Sequence, residues 1–559
     1  MRHTLAPAAI ALSLVLAGCA QSSARPERAA APALPAPTAP PRLIVAISVD
    51  QFSADSFAQY RQFYAGGLAR LQQGAVFPSA FQSHAATETC PGHSTLLTGT
   101  RPSRNGIIAN MWFDPGLTRA DKRVYCAEDE RDPASTSGNP VVSAVHLKVP
   151  TLGDRMKAAN PASRNVAVSA KDRAVIMMGG HTIDEGYWWK GGAFVTLAGR
   201  PLAPAAVAAN TATAALIKAG APAYAVPAFC APRDRAITVG KATIGTGRFA
   251  LEAGKESQFR VSPRMDAATA DLAIQLVDDM KLGQQAAPDI LSVSLSANDY
   301  IGHATGTEGV EMCIQMFELD KTIGRLLAAL DARGIDYAVA LSADHGGLDA
   351  PERLAEQALP NATRADHALL PAQLAKAVTA KTGIATAGPL LYADGPFGDY
   401  YVSHNLTSAE KATVLGALVP MLRAHPQVAA VYTADDLAGT PLPLGAPQDW
   451  TLKERARASF DPQRSGDIVV LLDRAVVPIP DPAPGYTATH GSPWDYDRRV
   501  PLLFWRKGVP GLEQPAPVET VDIAPTLAAL IGLAVPDGAF DGRCLDIDGS
   551  GSNTCATGK

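Results

Sequence analysis

The chain has no apolar run after its N-terminus that is long enough to cross a bilayer, which takes about 20 consecutive residues. Long basic runs are also missing and the formal net charge is −5, so nothing in the composition supports nucleic-acid binding. Cysteine is scarce, with seven among 559 residues. Two stretches, about 182–264 and about 351–464, are rich in Ala, Gly and Pro and show no internal repeat.

What the N-terminus has is an address. Arg2 and His3 precede an apolar stretch from Ala8 to Leu16 that is too short to span a membrane. Leu16-Ala17-Gly18-Cys19 closes a segment with the form of a secretory signal, and it resembles the bacterial lipobox, in which the cysteine is lipidated. Cleavage after Ala20 is the rival and would release a soluble protein. Residues 1–19 are therefore read as a signal peptide with lipobox. Residues 20–41, rich in Ala and Pro, form a tether, and residues 42–555 form the folded domain. The expectation is export to the periplasm, with a lipid anchor in the outer membrane as the only membrane attachment.

Both cleavage schemes remove Cys19 from the pairing problem. Cys90, Cys126, Cys230, Cys313, Cys544 and Cys555 remain, and in an oxidising compartment they suggest three disulfides. Order along the chain favours Cys90–Cys126, Cys230–Cys313 and Cys544–Cys555, although sequence alone leaves the connectivity open.

Apolar strand-like runs alternate with helical patterns, which predicts an α/β fold: a central, mainly parallel sheet with helices on both faces. From Gly309 to Arg333 apolar residues recur at helical spacing before Gly334, and VDIAPTLAALIGL from Val521 to Leu533 reads as another helix. Runs at 164–169, 467–472 and 500–505 supply further strands. The regions 182–264 and 351–464 read as insertions over the carboxyl edge of the sheet, forming a cap.

Three strand-like runs each close on an aspartate: LIVAISVD at Asp50, ILSVSLSAND at Asp299 and YAVALSAD at Asp344. In open α/β sheets, sites lie beyond the carboxyl ends of the strands, so these carboxylates can converge. His303 follows Asp299 by four residues, His345 follows Asp344 directly, and His490 stands in the Gly-rich GYTATHGS. Each aspartate alone reads as a turn or helix N-cap residue. Together, mixed carboxylate and imidazole donors suit a metal site, with zinc the fitting ion. His84, His93, His146, His181, His367, His404 and His425 have no partner at ligand spacing and read as structural or exposed. Asp546 and Asp548, in LDIDGSGS, lack the rest of an EF-hand and read as a turn.

The segment TETCPGHSTLLTGT places Thr89 at a helix N-terminus, where free N–H groups favour an anion. Alone, Thr before Cys-Pro-Gly is an ordinary N-cap. In order along the chain, however, Asp50, the Thr89-Cys90-Pro91-Gly92-His93 turn, Asn110, Asp299 to His303, Asp344-His345-Gly346 and His490-Gly491-Ser492 resemble the alkaline phosphatase superfamily. They are most similar to its threonine-nucleophile, PafA-type monoesterases. The resemblance runs from Arg42 to about Leu545. It implies two zinc ions (Zn2+), with Asp299, His303 and His490 around one and Asp50, Asp344 and His345 around the other. Thr89 would bridge toward the second ion and attack phosphorus. It also implies a monomer acting on small-molecule phosphate monoesters, with phosphate scavenging outside the cytoplasm as the simplest physiological account.

Lys171 and Arg173 follow the strand RNVAVSA, and an i, i+2 spacing in extended chain would send both side chains the same way. Alone they read as a solvated basic pair. The segment is similar to the KxR element of the PafA-type enzymes, which implies two cations on nonbridging phosphate oxygens, with Asn110 donating a further hydrogen bond. A doubly charged monoester would then be favoured over a singly charged diester. The alternatives are a nucleotide pyrophosphatase/phosphodiesterase of the same superfamily, which lacks that cation pair, and a surface-anchored metal-binding protein without turnover. A sulfatase is disfavoured because Cys90 lacks the CxPxR pattern.

Overall fold

The computed structural model describes residue 1 and residues 39–557; the leader and most of the tether lie outside the described residues. The N-terminal strand-like run becomes β1 (Leu43–Val49), followed by β2 (Ala75–Phe81), β3 (Asn165–Ser169), β4 (Glu185–Lys190), β5 (Ala193–Val195), β6 (Asp289–Leu295) and β7 (Tyr337–Ser342). Every residue of β1, β3, β6 and β7 is buried. That explains why their sequences are continuously apolar rather than alternating: a parallel sheet covered on both faces has no solvent side.

A second group, β8 (Leu391–Tyr392), β9 (Gly398–Val402), β10 (Val428–Thr433) and β11 (Ile468–Leu472), forms a separate four-stranded antiparallel sheet in the order β8-β9-β11-β10. The chain then returns to the main sheet as β12 (Arg499–Arg506), with short edge strands β13 (Leu512–Glu513) and β14 (Val518–Glu519). The main sheet is ten-stranded, ordered β13-β2-β12-β7-β1-β6-β3-β4-β5, with β14 on β2. It is mixed and mostly parallel. β12 runs antiparallel to both neighbours and β5 to β4.

Register positions the site. Val49 lies opposite Leu295 and Ser48 opposite Ser342, so β1, β6 and β7 finish level with one another. β3 joins β6 with Ser169 opposite Ser294. The residues that follow these four strands therefore emerge side by side. Among them are Asp50, Lys171, Asp299 and Asp344. Helix α1 (Thr89–Thr98) follows β2, α2 (Asp172–Gly179) follows β3, and α3 (Ala297–Thr305) follows β6, leading into α4 (Val310–Ala332). α4 matches the expected helix, and Gly334, at φ +65°, supplies the left-handed turn after it. The helix expected over 521–533 is shorter. A 3-10 turn at Thr520–Asp522 precedes Ile523–Leu530, and the left-handed Gly532 ends it.

The cap differs from its expected limits. Its core joins the antiparallel sheet to helices Pro371–Thr382 and Ser408–Arg423 through Leu374, Val414, Leu418, Tyr400, Ile468 and Val470. The run at 467–472 is thus a cap strand, and the cap continues past residue 464. Region 182–264 is not an insertion throughout. Its first residues are β4 and β5 of the main sheet, and its helix Pro204–Ala219 packs on the helix Pro263–Met280. Three disulfides form as the chain order suggested: Cys90–Cys126, Cys230–Cys313 and Cys544–Cys555. Among the described residues no helix is long and apolar enough to cross a membrane.

Arg498 ties the cap connection to the core. It is fully buried, donates to the Ser83 and Pro447 carbonyls at 3.2 and 3.1 Å, and pairs with Asp495 at 3.1 Å. Arg498→Ala is expected to destabilise the fold by about 3 kcal/mol, because two buried carbonyls lose their donor. Lys321→Ala, which breaks only the exposed pair with Glu318, is expected to cost under about 0.5 kcal/mol. Equal losses in denaturant titrations would contradict this reading of Arg498.

Candidate active site

The level strand ends bring Asp50, Asp299 and Asp344 together, each no more than 2% exposed. Burial and the charge of Asp344 push the Asp50 carboxyl well above its usual range. Burial alone would raise Asp299 as well, but His303 and Lys171 outweigh it and hold this group well below the usual range. Asp344 is held low in the same way by His345 and His93. The buried Lys171 ammonium is the common counter-charge, with Nζ 2.6 Å from Asp50 and 2.5 Å from Asp299.

The histidines complete two adjacent groups. His303 Nε2 and His490 Nε2 lie 3.3 and 3.4 Å from Asp299 Oδ1. His345 Nε2 lies 3.5 Å from Asp50 Oδ1 and 3.3 Å from Asp344 Oδ2, and its ring stacks on His490 at 3.6 Å. In each of the three imidazoles Nδ1 faces a backbone carbonyl: Ala488 for His303, Gly346 for His345, Thr87 for His490. With Nδ1–H donating there, Nε2 presents its lone pair to the centre. Burial holds His490 below its ordinary value and His345 down to about 3, so both are neutral, as metal ligation requires.

These residues fit a divalent metal. Asp50 Oδ1, Asp299 Oδ1, Asp344 Oδ2 and His345 Nε2 are buried and make no hydrogen bond, a costly arrangement unless another partner takes them. One donor atom from each of Asp299, His303 and His490 lies within 4.8 Å of the others, and the same holds for Asp50, His93 and Asp344 and for Asp50, Asp299 and His345.

His93 departs from the reading of it as a histidine without a ligand partner. It stands one helical turn after Thr89, with Nδ1 2.9 Å from the Thr89 carbonyl and 3.0 Å from Asp344 Oδ2, and Nε2 2.9 Å from Ser294 Oγ. Both nitrogens are engaged, so it orients Asp344 rather than offering a free lone pair. The i, i+4 spacing from Thr89 was the signal available in the sequence. Two further residues carried no such signal. Gln51, at φ +61°, donates its backbone N–H to Asp344 Oδ1 and packs its side chain where Gly302 and Gly347 leave room for it. Asn298 donates to the Asp50 and Gln51 carbonyls.

Thr89 is the first residue of α1, and Glu88 occupies the N-cap position. Gly92 allows the helix to lie on the end of β7, since a Cβ there would stand 2.0 Å from the Asp344 carbonyl oxygen. Lys171 Nζ and Arg173 Nη2 reach Thr89 Oγ1 at 3.4 and 3.5 Å. They do so differently from the extended-chain expectation: Lys171 is the extended N-cap of α2 and Arg173 lies in its first turn. Asn110 Oδ1 accepts the Cys90 N–H at 2.8 Å and Glu88 Oε2 accepts the Asn110 N–H at 2.7 Å. That pairing leaves the Asn110 amide nitrogen as its free donor. Cys90–Cys126 braces the same junction, with Cys126 N–H donating to the Asn110 carbonyl.

A parallel-sheet α/β fold with a carboxylate–imidazole centre and a hydroxyl held between two cations defines a metal-dependent hydrolytic class. The chain belongs to the type I phosphodiesterase/nucleotide pyrophosphatase family, whose model matches residues 44–493. It is 53% identical over 521 residues to alkaline phosphatase PhoK of Sphingomonas sp, covering 92% of this chain and 93% of that one. It is 50% identical over 516 residues to alkaline phosphatase PhoD of Zymomonas mobilis, covering 92% and 89%. The crystal structure of wild-type alkaline phosphatase PafA superposes with a TM-score of 0.80 at 25% identity, covering 92% of this chain and 100% of that chain.

Chelation is expected to lower the melting temperature, with a loss on the order of 4 kcal/mol for a metal bound at a thousand times its Kd, and added divalent metal is expected to restore it. Scanning calorimetry with and without chelator checks this. Unchanged melting would mean that Lys171 balances the three carboxylates without a metal.

Proposed function

We infer that this protein is a metal-dependent alkaline phosphatase, hydrolysing phosphate monoesters to alcohol and inorganic phosphate through a phosphothreonine on Thr89. The observation that carries the reading is the placement of Thr89 Oγ1 between Lys171 and Arg173, at a helix N-terminus beside the carboxylate–imidazole groups. Two zinc ions, one held by Asp299, His303 and His490 and the other by Asp50, Asp344, His345 and Thr89, would supply Lewis-acid charge and make alkoxide and hydroxide accessible near neutral pH.

The chain's own groups do the rest. The Thr89 hydroxyl loses its proton to solvent, its oxygen forms a bond to phosphorus as the ester P–O bond breaks, and the departing alkoxide takes up a proton from solvent. Water then cleaves the phosphothreonine, returning Thr89 and releasing phosphate. Lys171 and Arg173 set two positive charges against the nonbridging oxygens, and the Asn110 amide adds a donor. Two cations suit the dianion of a monoester better than a singly charged diester. The family's name favours a second reading, a phosphodiesterase, and the cation pair is the observation that ranks it lower. A binding protein without turnover would have no use for a nucleophile and phosphate clamp assembled at one point.

The lipobox-like leader and three disulfides support export, with anchoring through Cys19 and phosphate scavenging outside the cytoplasm as a monomer. Thr89→Ala is expected to cut phosphate release from an aryl phosphate by about a thousandfold or more with bound metal unchanged by elemental analysis, while Thr89→Ser stays within about tenfold of wild type. Wild-type turnover by the alanine variant would overturn the threonine route.

A further inference from the structure

The cap walls the cavity above Thr89. This cavity, about 260 Å³, is bounded below by Thr89, Asn110, Arg173, His303 and His490, and above by cap residues that include Phe397, Phe460, Val469 and Leu471. No residue of 182–264 lines it. Two aromatic rings flank the Asp299–His303–His490 group. A Cβ on Gly491 would stand 3.0 Å from Phe397 Cζ, so that ring tip rests on the backbone beside His490. The Tyr486 ring lies 5.3 Å from His303. Phe113 extends the wall through Tyr401, at 5.7 Å between ring centres.

The charges along this cavity are divided. Arg173, with Lys171 behind it, stands at the phosphoryl end, whereas the remaining charged side chains in the lining are carboxylates: Glu88, Asp394 and Asp399. Glu88 accepts the Asn110 N–H and Asp399 the Gly466 N–H, both at 2.7 Å, so each is fixed in place. Burial pushes Asp399 up to about 6, so it is ionised in alkaline solution. Asp394 is the exposed member and meets Arg123 at 3.5 Å.

Resting on the phosphatase reading, we propose that the cap forms a leaving-group pocket selecting monoesters of aromatic or apolar alcohols that are neutral or cationic, and rejecting alcohols that carry a further negative charge. Phe397 and Tyr486 give the departing group two faces to pack against. The carboxylates repel a second anion in a cavity where water screens poorly. The phosphoryl group escapes that repulsion because Lys171 and Arg173 hold it at the other end. Polyphosphates and sugar bisphosphates are poor substrates on this account.

The test compares kcat/KM, at one alkaline pH and ionic strength, for 4-methylphenyl, 4-(aminomethyl)phenyl and 4-(carboxymethyl)phenyl phosphate, each corrected for the acidity of its departing phenol. The wild type is expected to turn over the carboxymethyl ester about tenfold less efficiently than the methyl ester, and the aminomethyl ester at least as well as the methyl ester. Asp394→Asn/Asp399→Asn is expected to close most of that gap, and Asp394→Asn alone, at an exposed position, part of it, which keeps the test open if the double change unfolds the cap. Phe397→Ala is expected to lower efficiency on the methylphenyl ester about tenfold relative to methyl phosphate. Turnover of all three esters at one rate, or discrimination untouched in the asparagine variants, overturns this inference and leaves the phosphatase reading standing. No turnover of any ester by the metal-loaded wild type overturns both.

Discussion

Asp50, Asp299 and Asp344 are held within a few ångströms of one another at the buried end of a parallel sheet, and the cost of that charge governs what surrounds them. Carboxylates at such separations in a poorly solvated interior cannot all remain ionised without counter-charge. Lys171 supplies it from the turn between β3 and α2, 2.6 Å from Asp50 and 2.5 Å from Asp299. The imidazoles bring their Nε2 atoms to the same oxygens while their Nδ1 atoms are tied to carbonyls. The donor set left over, oxygen and nitrogen atoms without hydrogen bonds, is what a divalent metal takes up. The cluster follows from strand register, because a one-residue slip between β1 and β6 would turn Asp50 away from Asp299.

The same constraint reaches Thr89. Lys171 touches both the carboxylates and Thr89, so the cation that balances the cluster also faces the hydroxyl. Gly92 lets α1 settle on the Asp344 backbone, and His93, on that helix, bonds to the Thr89 carbonyl and lies 3.0 Å from Asp344 Oδ2. Thr89, Asp344 and Lys171 therefore form one mechanical unit. The cap is organised apart from it, with its own sheet and hydrophobic core, and meets it across the cavity that receives the alcohol. Chemistry and selectivity are thus carried by different parts of the chain.

Much of this was legible in the sequence because its signals were local. Apolar runs ending in Asp50, Asp299 and Asp344 mark buried parallel strands whose ends share an edge, and His303 at i+4 from Asp299 shares a helical face with it. The chain order of the cysteines also matched the pairing found. What escaped depended on long-range packing. Region 182–264 begins as an ordinary polar–aromatic segment, and only pairing of Val166 with Glu185 makes it part of the sheet. The run at 467–472 is as apolar as a main-sheet strand, but it pairs with the cap. Lys171 and Arg173 reach Thr89 from a helix start, since Asp172 begins α2 rather than continuing β3. Phe397, Asp394 and Asp399 gain meaning only when folding places them opposite His490.

The central claim is that two cations beside Thr89 make this a monoester site. The most direct measurement is the ratio of kcat/KM for p-nitrophenyl phosphate to that for bis-p-nitrophenyl phosphate, taken for metal-loaded wild type and for Arg173→Ala. A large monoester preference in the wild type that falls sharply in the variant is the predicted result. Diester preference in the wild type, or a ratio that the loss of Arg173 leaves unchanged, would contradict the account.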